Sequence, residues 1–221
     1  MPLIDVTSPV TPSEIIYYHG DKFAPEGGLS RTEIILADKK VNTGKLAESM
    51  LAAAILANEA TGAIQLQPQE KRGFLGLGSS TVLGIQLVQP LTWAEASLEA
   101  DLYSIVYQGY GKQPFSVYDY VYHLWTQDKT NPWEEVISIV RWGLVRRNLL
   151  IAEEKRSLKI FVSYSYQISE DQRSWVSQIP IQPVQQLISN ASIQPDKWKM
   201  LTREISKALH ARQEKSESDF D

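Results

Sequence analysis

The sequence predicts a mainly α-helical chain with small β-hairpins, an α+β fold. Three observations predict it. The run from Leu46 to Ala60 is apolar on nearly every side of a helical wheel, the pattern of a helix buried all round. Two segments, AIQLQ from Ala63 and TVLGIQLV from Thr81, alternate with the period of two that a half-buried strand requires. The order helix and then hairpin recurs between Trp133 and Tyr166. Together these place one globular helical domain over 29–211, behind an extended N-terminal arm over 1–28 and ahead of a charged tail over 212–221.

Residues 1–14 contain three prolines and alternate small polar with apolar side chains, which reads as extended chain. Ser30 with Glu33 three residues on has the form of a capping box and predicts a short helix from Arg31 to Ala37, followed by a polar turn ending at Gly44. Thr61-Gly62 stops the central helix, because glycine turns into the left-handed region without a Cβ penalty. The strands after it pair as a hairpin whose far end is EKRGFLGLGSS. Thr92 is the expected N-cap of a helix from Trp93 to Gln108, and a second helix is expected over Phe115 to Gln127, where Tyr118, Tyr122 and Trp125 share a face. Asn131 followed by Pro132 starts a third, running to Arg147 and ended by Asn148. LLIAEEKRSLKIFVSYSY then gives a strand, an EEKRS turn and a strand with Leu158, Ile160 and Val162 on one face. Beyond a polar SEDQRS loop, Pro183 opens a short helix, and Asp196 caps the last one, which carries Trp198, Leu201, Ile205 and Leu209.

Composition narrows the function classes. No apolar run reaches the roughly 20 residues that span a bilayer, and the opening MPLIDVTSPVTPSE lacks the basic and apolar parts of a secretory signal. A cytoplasmic protein is expected, with peripheral attachment as its one relation to a membrane. The absence of cysteine removes disulfides, thiolate metal sites and thiol nucleophiles. A formal charge of −4 argues against broad contact with nucleic acid and leaves room for a local basic patch.

Two such patches stand out. At the first hairpin tip, Lys71 and Arg72 adjoin Phe74, Leu75 and Leu77, spaced by Gly73, Gly76 and Gly78. Cations beside apolar residues attract an anionic bilayer and then insert, so this tip is the expected contact for membrane lipid or a protein partner. The blander reading folds Phe74 and the leucines onto the core or against another protomer, making a homo-oligomer. The same glycines do not form a nucleotide loop, for no GK[ST] follows and the segment lies between antiparallel strands. The second patch, Arg141, Arg146, Arg147, Lys155 and Arg156, is the basis of a rival winged-helix DNA-binding reading over 141–156, and its last four members are a candidate anion-binding region. Arg146 and Arg147 equally suit the negative end of a helix. His19, His123 and His210 have no neighbour at zinc-ligand spacing, no serine elbow exists, and Asp119, Glu95 and Asp101 form no paired-acid pattern. A non-catalytic protein without a cofactor is expected.

LAESMLAAAILANEATGAIQLQP before a basic, glycine-rich hairpin, and VRWGLVRRNLLIAEEK before a second, resemble the Golgi phosphoprotein 3 family over roughly Leu29 to Tyr166. The resemblance implies a mostly helical peripheral membrane protein that binds a phosphoinositide and, through its hairpin, partner proteins. That family's headgroup pocket uses a tryptophan and arginines, whose positions fall near Asn42, Leu51, Glu134 and Ile137 here. None of these side chains clamps a phosphate, so the resemblance carries over an expected fold and no binding residue.

Overall fold

The computed structural model describes residues 4–72, 79–109, 115–125, 131–157 and 161–218. Within them eight α-helices surround one core, with two- and three-stranded antiparallel sheets at its margins. The mixed α+β class predicted from periodicity is the one observed.

The N-terminal segment departs from the expected extended arm. Pro12 occupies the first position of α1 (Pro12–Tyr18), where its missing N–H leaves no bond unmade. Thr11 caps the helix and its own N–H donates to Glu14 Oε2 at 2.9 Å. All of α1 is buried. Residues 31–37 differ as well, forming β1 (Arg31–Ile34), which pairs antiparallel with β2 (Lys39–Asn42) where a helix was expected. The Ser30 hydroxyl donates to Thr43 Oγ1 at 3.0 Å and caps nothing, while alternation buries Thr32 and Ile34 and exposes Arg31 and Glu33. Asn42 is instead the cap of α2 (Thr43–Ala60), its Oδ1 accepting from the Lys45 N–H at 2.9 Å. Gly62 closes that helix with φ +77°.

The predicted hairpin is present as β3 (Ile64–Arg72) and β4 (Ser79–Leu87), in register from Ile64 opposite Leu87 to Arg72 opposite Ser79. α3 (Leu98–Gly109) starts later than expected, because Ser97 accepts from the Ala100 N–H at 3.2 Å and Trp93 stays in the preceding loop. The Trp93 indole is buried there and donates to Asn58 Oδ1 at 2.9 Å. Of the helix expected over 115–127, Phe115–Ser116 form β5 on the edge of β4, and α4 is confined to Val117–Tyr122 by a capping box of Ser116 with Asp119. α5 (Pro132–Arg146) begins at its Asn131 cap as predicted, and Asn148 takes the left-handed conformation that ends it, with φ +57°.

The EEKRS segment expected as a turn lies within β6 (Ile151–Ser157), paired with β7 (Phe161–Gln167). Leu158 and Ile160 lie outside the described residues. The expected SEDQRS loop is the start of α6 (Glu170–Ser177), since Ser169 and Gln172 make a reciprocal capping box. α7 (Gln182–Ser192) precedes α8 (Pro195–Ser218), which runs on into the expected tail as far as Ser218. Its inward face does not stop at Leu209. Arg212 is buried, its guanidinium 5.0 Å from the Tyr122 ring centroid and 5.5 Å from that of Trp125, and it donates to the Trp125 carbonyl at 3.0 Å.

α2 is the axis of the core, packed against α1, α3, α5, α7 and α8. Its alanines let these helices approach, which is the physical use of a helix apolar on all sides. Among the described residues no helix is long and apolar enough to cross a membrane.

Candidate functional site

The first hairpin is anchored at its base and free farther out. Ile64, Leu66, Leu83 and Ile85 belong to the core, whereas Pro68, Glu70, Lys71 and Ser79 to Thr81 are exposed. α8 braces the base, where the buried Glu204 carboxylate accepts from the Leu83 N–H at 2.6 Å and the Tyr118 N–H at 3.2 Å. Arg203 adds a bond to the Thr81 carbonyl at 3.0 Å. Burial pushes the Glu204 carboxyl upward, against the pull of those two amides. Lys71, the outermost side chain described on β3, lies 3.5 Å from Asp119 Oδ1 with both groups in contact with solvent. Arg72 ends that strand, and Phe74, Leu75 and Leu77 lie outside the described residues.

The second basic patch is divided. Arg146 and Lys155 are exposed, and Arg156 lies on β6. Arg147, named with the others as a candidate anion-binding residue, turns inward. Its Nη2 donates to Glu14 Oε1, its Nη1 to the Pro9 carbonyl at 2.7 Å and its Nε to the Gly143 carbonyl at 3.2 Å. A buried carboxylate of the protein already holds this cation.

Glu14 shares its surroundings with a second buried acid. Glu99 accepts from the Ser13 N–H at 2.8 Å and the Ser13 hydroxyl at 2.9 Å, so α1 is tied to both α3 and α5. Arg147 bonds to Glu14, whereas Glu99 is held by hydrogen bonds from Ser13. Burial, opposed by Arg147 and reinforced by Glu99, pushes the Glu14 carboxyl up to about 7, and burial raises Glu99 too. Both groups therefore keep protons in the folded chain at a pH where the unfolded chain has lost them. The Glu14 contribution to stability is complete below the unfolded value of 4.5 and is lost as pH rises towards 7, and that of Glu99 is lost in the same direction. Thermal unfolding is expected to show Tm falling by several degrees between pH 5 and pH 8, with a shallower slope in Glu99→Gln, which leaves one carboxyl. A flat profile in the parent chain, or an unchanged slope in the variant, would refute this.

A groove of about 700 Å³ opens between the β1–β2 turn, the edge of β7 and α6. Its floor is Arg141, whose side chain is 15% exposed. The guanidinium donates from Nε to Tyr17 Oη at 3.1 Å and from Nη1 to Glu134 Oε1 at 2.7 Å. It also lies 4.9 Å from the Tyr166 ring centroid and 5.6 Å from that of Tyr17. Burial holds the Tyr17 phenol above its ordinary range even beside this cation, so the hydroxyl keeps its proton. Trp142, next on α5, meets Tyr164 and Tyr166 edge-on at 5.0 and 6.3 Å and fixes that wall. Sequence reasoning noted Arg141 as a member of the basic patch, without pointing to this groove. The groove joins α1, β1, α5, β7 and α6, and no spacing in the chain announces it.

The positions that the family resemblance would give to a headgroup pocket do other work. Asn42 caps α2, Leu51 and Ile137 are fully buried, and Glu134 is the partner of Arg141. No protein-family model matches the chain, and neither a curated protein nor a solved structure matches it. None of these comparisons supports the resemblance to the Golgi phosphoprotein 3 family expected from the sequence.

Proposed function

We propose that the protein is a non-catalytic peripheral membrane protein of the Golgi phosphoprotein 3-like type, whose 67–90 hairpin meets an anionic membrane surface. The observation that carries this reading is the form of the hairpin. Its base is pinned by Glu204 and Arg203 while its outer strands leave the core. The sequence between these strands holds two cations, one phenylalanine and two leucines, a composition that suits shallow insertion better than it suits catalysis. DNA binding through 141–156 has less support, because Arg141 and Arg147 are drawn to Tyr17, Glu134 and Glu14.

Flotation with vesicles of neutral lipid, with and without phosphatidylserine, tests the proposal. Binding is expected only to the anionic vesicles and is expected to weaken with salt. Replacing Lys71, Arg72, Phe74 and Leu75 together by serine should reduce it at least 30-fold, which is the two cations' roughly 2 kcal/mol before the apolar loss is counted. Binding that is absent, or that survives the replacement, would sink the membrane reading, and retention of a protein partner by the hairpin alone would replace it with an adaptor role.

A further inference from the structure

β7 has one edge without a partner. It pairs with β6 on one side, and among the described residues no strand and no backbone hydrogen bond from another element meets its other side. That free edge borders the groove. Residues 164–168 line the groove as an unbroken run, as do residues 33–38 at the end of β1 and in the turn after it, while no residue of β6 does. Side chains of a strand alternate between its two faces, as Tyr164 and Tyr166 show by both turning to Trp142. Consecutive strand residues therefore share one cavity along their backbone edge, where alternate N–H and C=O groups point away from β6. At about 3.4 Å per residue the run extends roughly 17 Å, long enough to pair with several residues of an extended chain.

The two strands of this hairpin differ in how they guard their edges. β6 reads IAEEKRS, with consecutive charges of the kind that keep an edge strand from pairing with other chains. β7 reads FVSYSYQ, without a charge, a proline or a glycine. An uncharged strand rich in aromatic residues is a template for a further strand. Its surroundings limit what that strand is. The edge lies in a cleft between the β1–β2 turn and α6, which suits a single extended segment better than the broad edge of a second folded copy. Tyr164 and Tyr166 give such a segment aromatic cross-strand neighbours, which favour β-branched side chains on the same face. On the far wall Glu33 and Asp38 are exposed and in no ion pair among the described residues. Glu134 already offsets Arg141, so Arg173 is the one other cation of the lining against two acids, and the balance favours a basic segment. We propose that β7 takes up an extended, lysine- or arginine-bearing segment of a partner protein as a third strand of its sheet. This site is separate from the 67–90 hairpin and does not depend on membrane contact.

Fluorescence anisotropy of a labelled KVTVTVK peptide, capped at both ends, with the full chain tests the site. Saturable binding is expected, together with slower hydrogen exchange of the β7 amides. Only alternate N–H groups of an added strand face its neighbour, so the deciding probes are two versions methylated on the backbone nitrogens at odd or at even positions. One should lose affinity at least about 30-fold, for several lost main-chain bonds, and the other should bind much as the parent does. Glu33→Lys combined with Asp38→Lys should weaken the parent peptide about fivefold while leaving Tm unchanged, since both side chains are exposed. The proposal is overturned if the peptide does not bind, if both methylated versions bind as well as the parent, or if the charge variant binds unchanged. A dimer in solution whose β7 amides are protected before any peptide is added would also overturn it, giving the edge to a second copy.

Discussion

Arg147→Met is expected to destabilise the protein by about 3–5 kcal/mol at pH 8, the cost of stranding a buried carboxylate whose partner is gone. Glu14 is fully enclosed, and Arg147 is the one cation that bonds to it among the described residues. The same substitution releases the Pro9 carbonyl, so the segment before α1 should become open to proteolysis at the same time. At pH 5 the loss should be smaller, because Glu14 can then take a proton and stay buried as a neutral acid. Combining it with Glu14→Leu should restore most of the lost stability, since removing both members of a buried pair leaves no orphaned charge. Urea unfolding at the two pH values measures all three. A loss that is small at pH 8, or that is the same at both pH values, would show that the pair does not hold α1 against α5.

Gly143→Ala should be nearly as damaging, against the usual trend for helices. In the interior of a helix this change normally stabilises by about 1 kcal/mol. Here a Cβ would fall inside the van der Waals radius of the Ala96 carbonyl oxygen, which is backbone and has no rotamer to yield. Ala96 itself holds a left-handed conformation with φ +56°, so the loop before α3 is already bent to lie close on α5. Overpacking typically costs about 1–3 kcal/mol, and a backbone clash belongs at the upper end, enough to outweigh the gain in propensity. A fall in Tm of roughly 5 °C or more is expected on that basis. If Tm rises, the close approach of the two segments is wrong.

Both predictions concern contacts that connect distant parts of the chain, and they mark where sequence reading loses its grip. Local signals were read well where one element satisfied itself. The Asn131-Pro132 start, the Asn148 stop and the alternation in β3 and β4 are fixed by caps, backbone freedom and a period of two. Reading failed where two local rules competed. Ser30 and Glu33 match a capping box, yet the alternation of RTEI governs and the pair forms part of a hairpin. Thr11 and Glu14 match the same pattern with a proline between them, and there the helix forms. The signal for α1 was present, and the proline content of the segment obscured it. The tail misled for another reason. Charge suggests solvent, but Arg212 buries its stem and stacks its head on aromatic rings from the end of α4 and just beyond it.

The candidate sites divide along the same line. Lys71 and the tip residues are contiguous in the chain, so their chemistry could be read from order alone. The walls of the groove come from separate elements, β1 and β7 among them, and an open strand edge is a property of surroundings rather than of residue type. By itself the sequence determined that α2 would be buried, that hairpins would follow helices and that caps would bound α5, because each depends on neighbours a few residues apart. Tertiary structure alone decided that Arg147 faces a carboxylate and Arg141 a groove. Arg141 lies on α5 and Arg147, six residues on, caps its end, and only packing on the two sides tells them which way to turn.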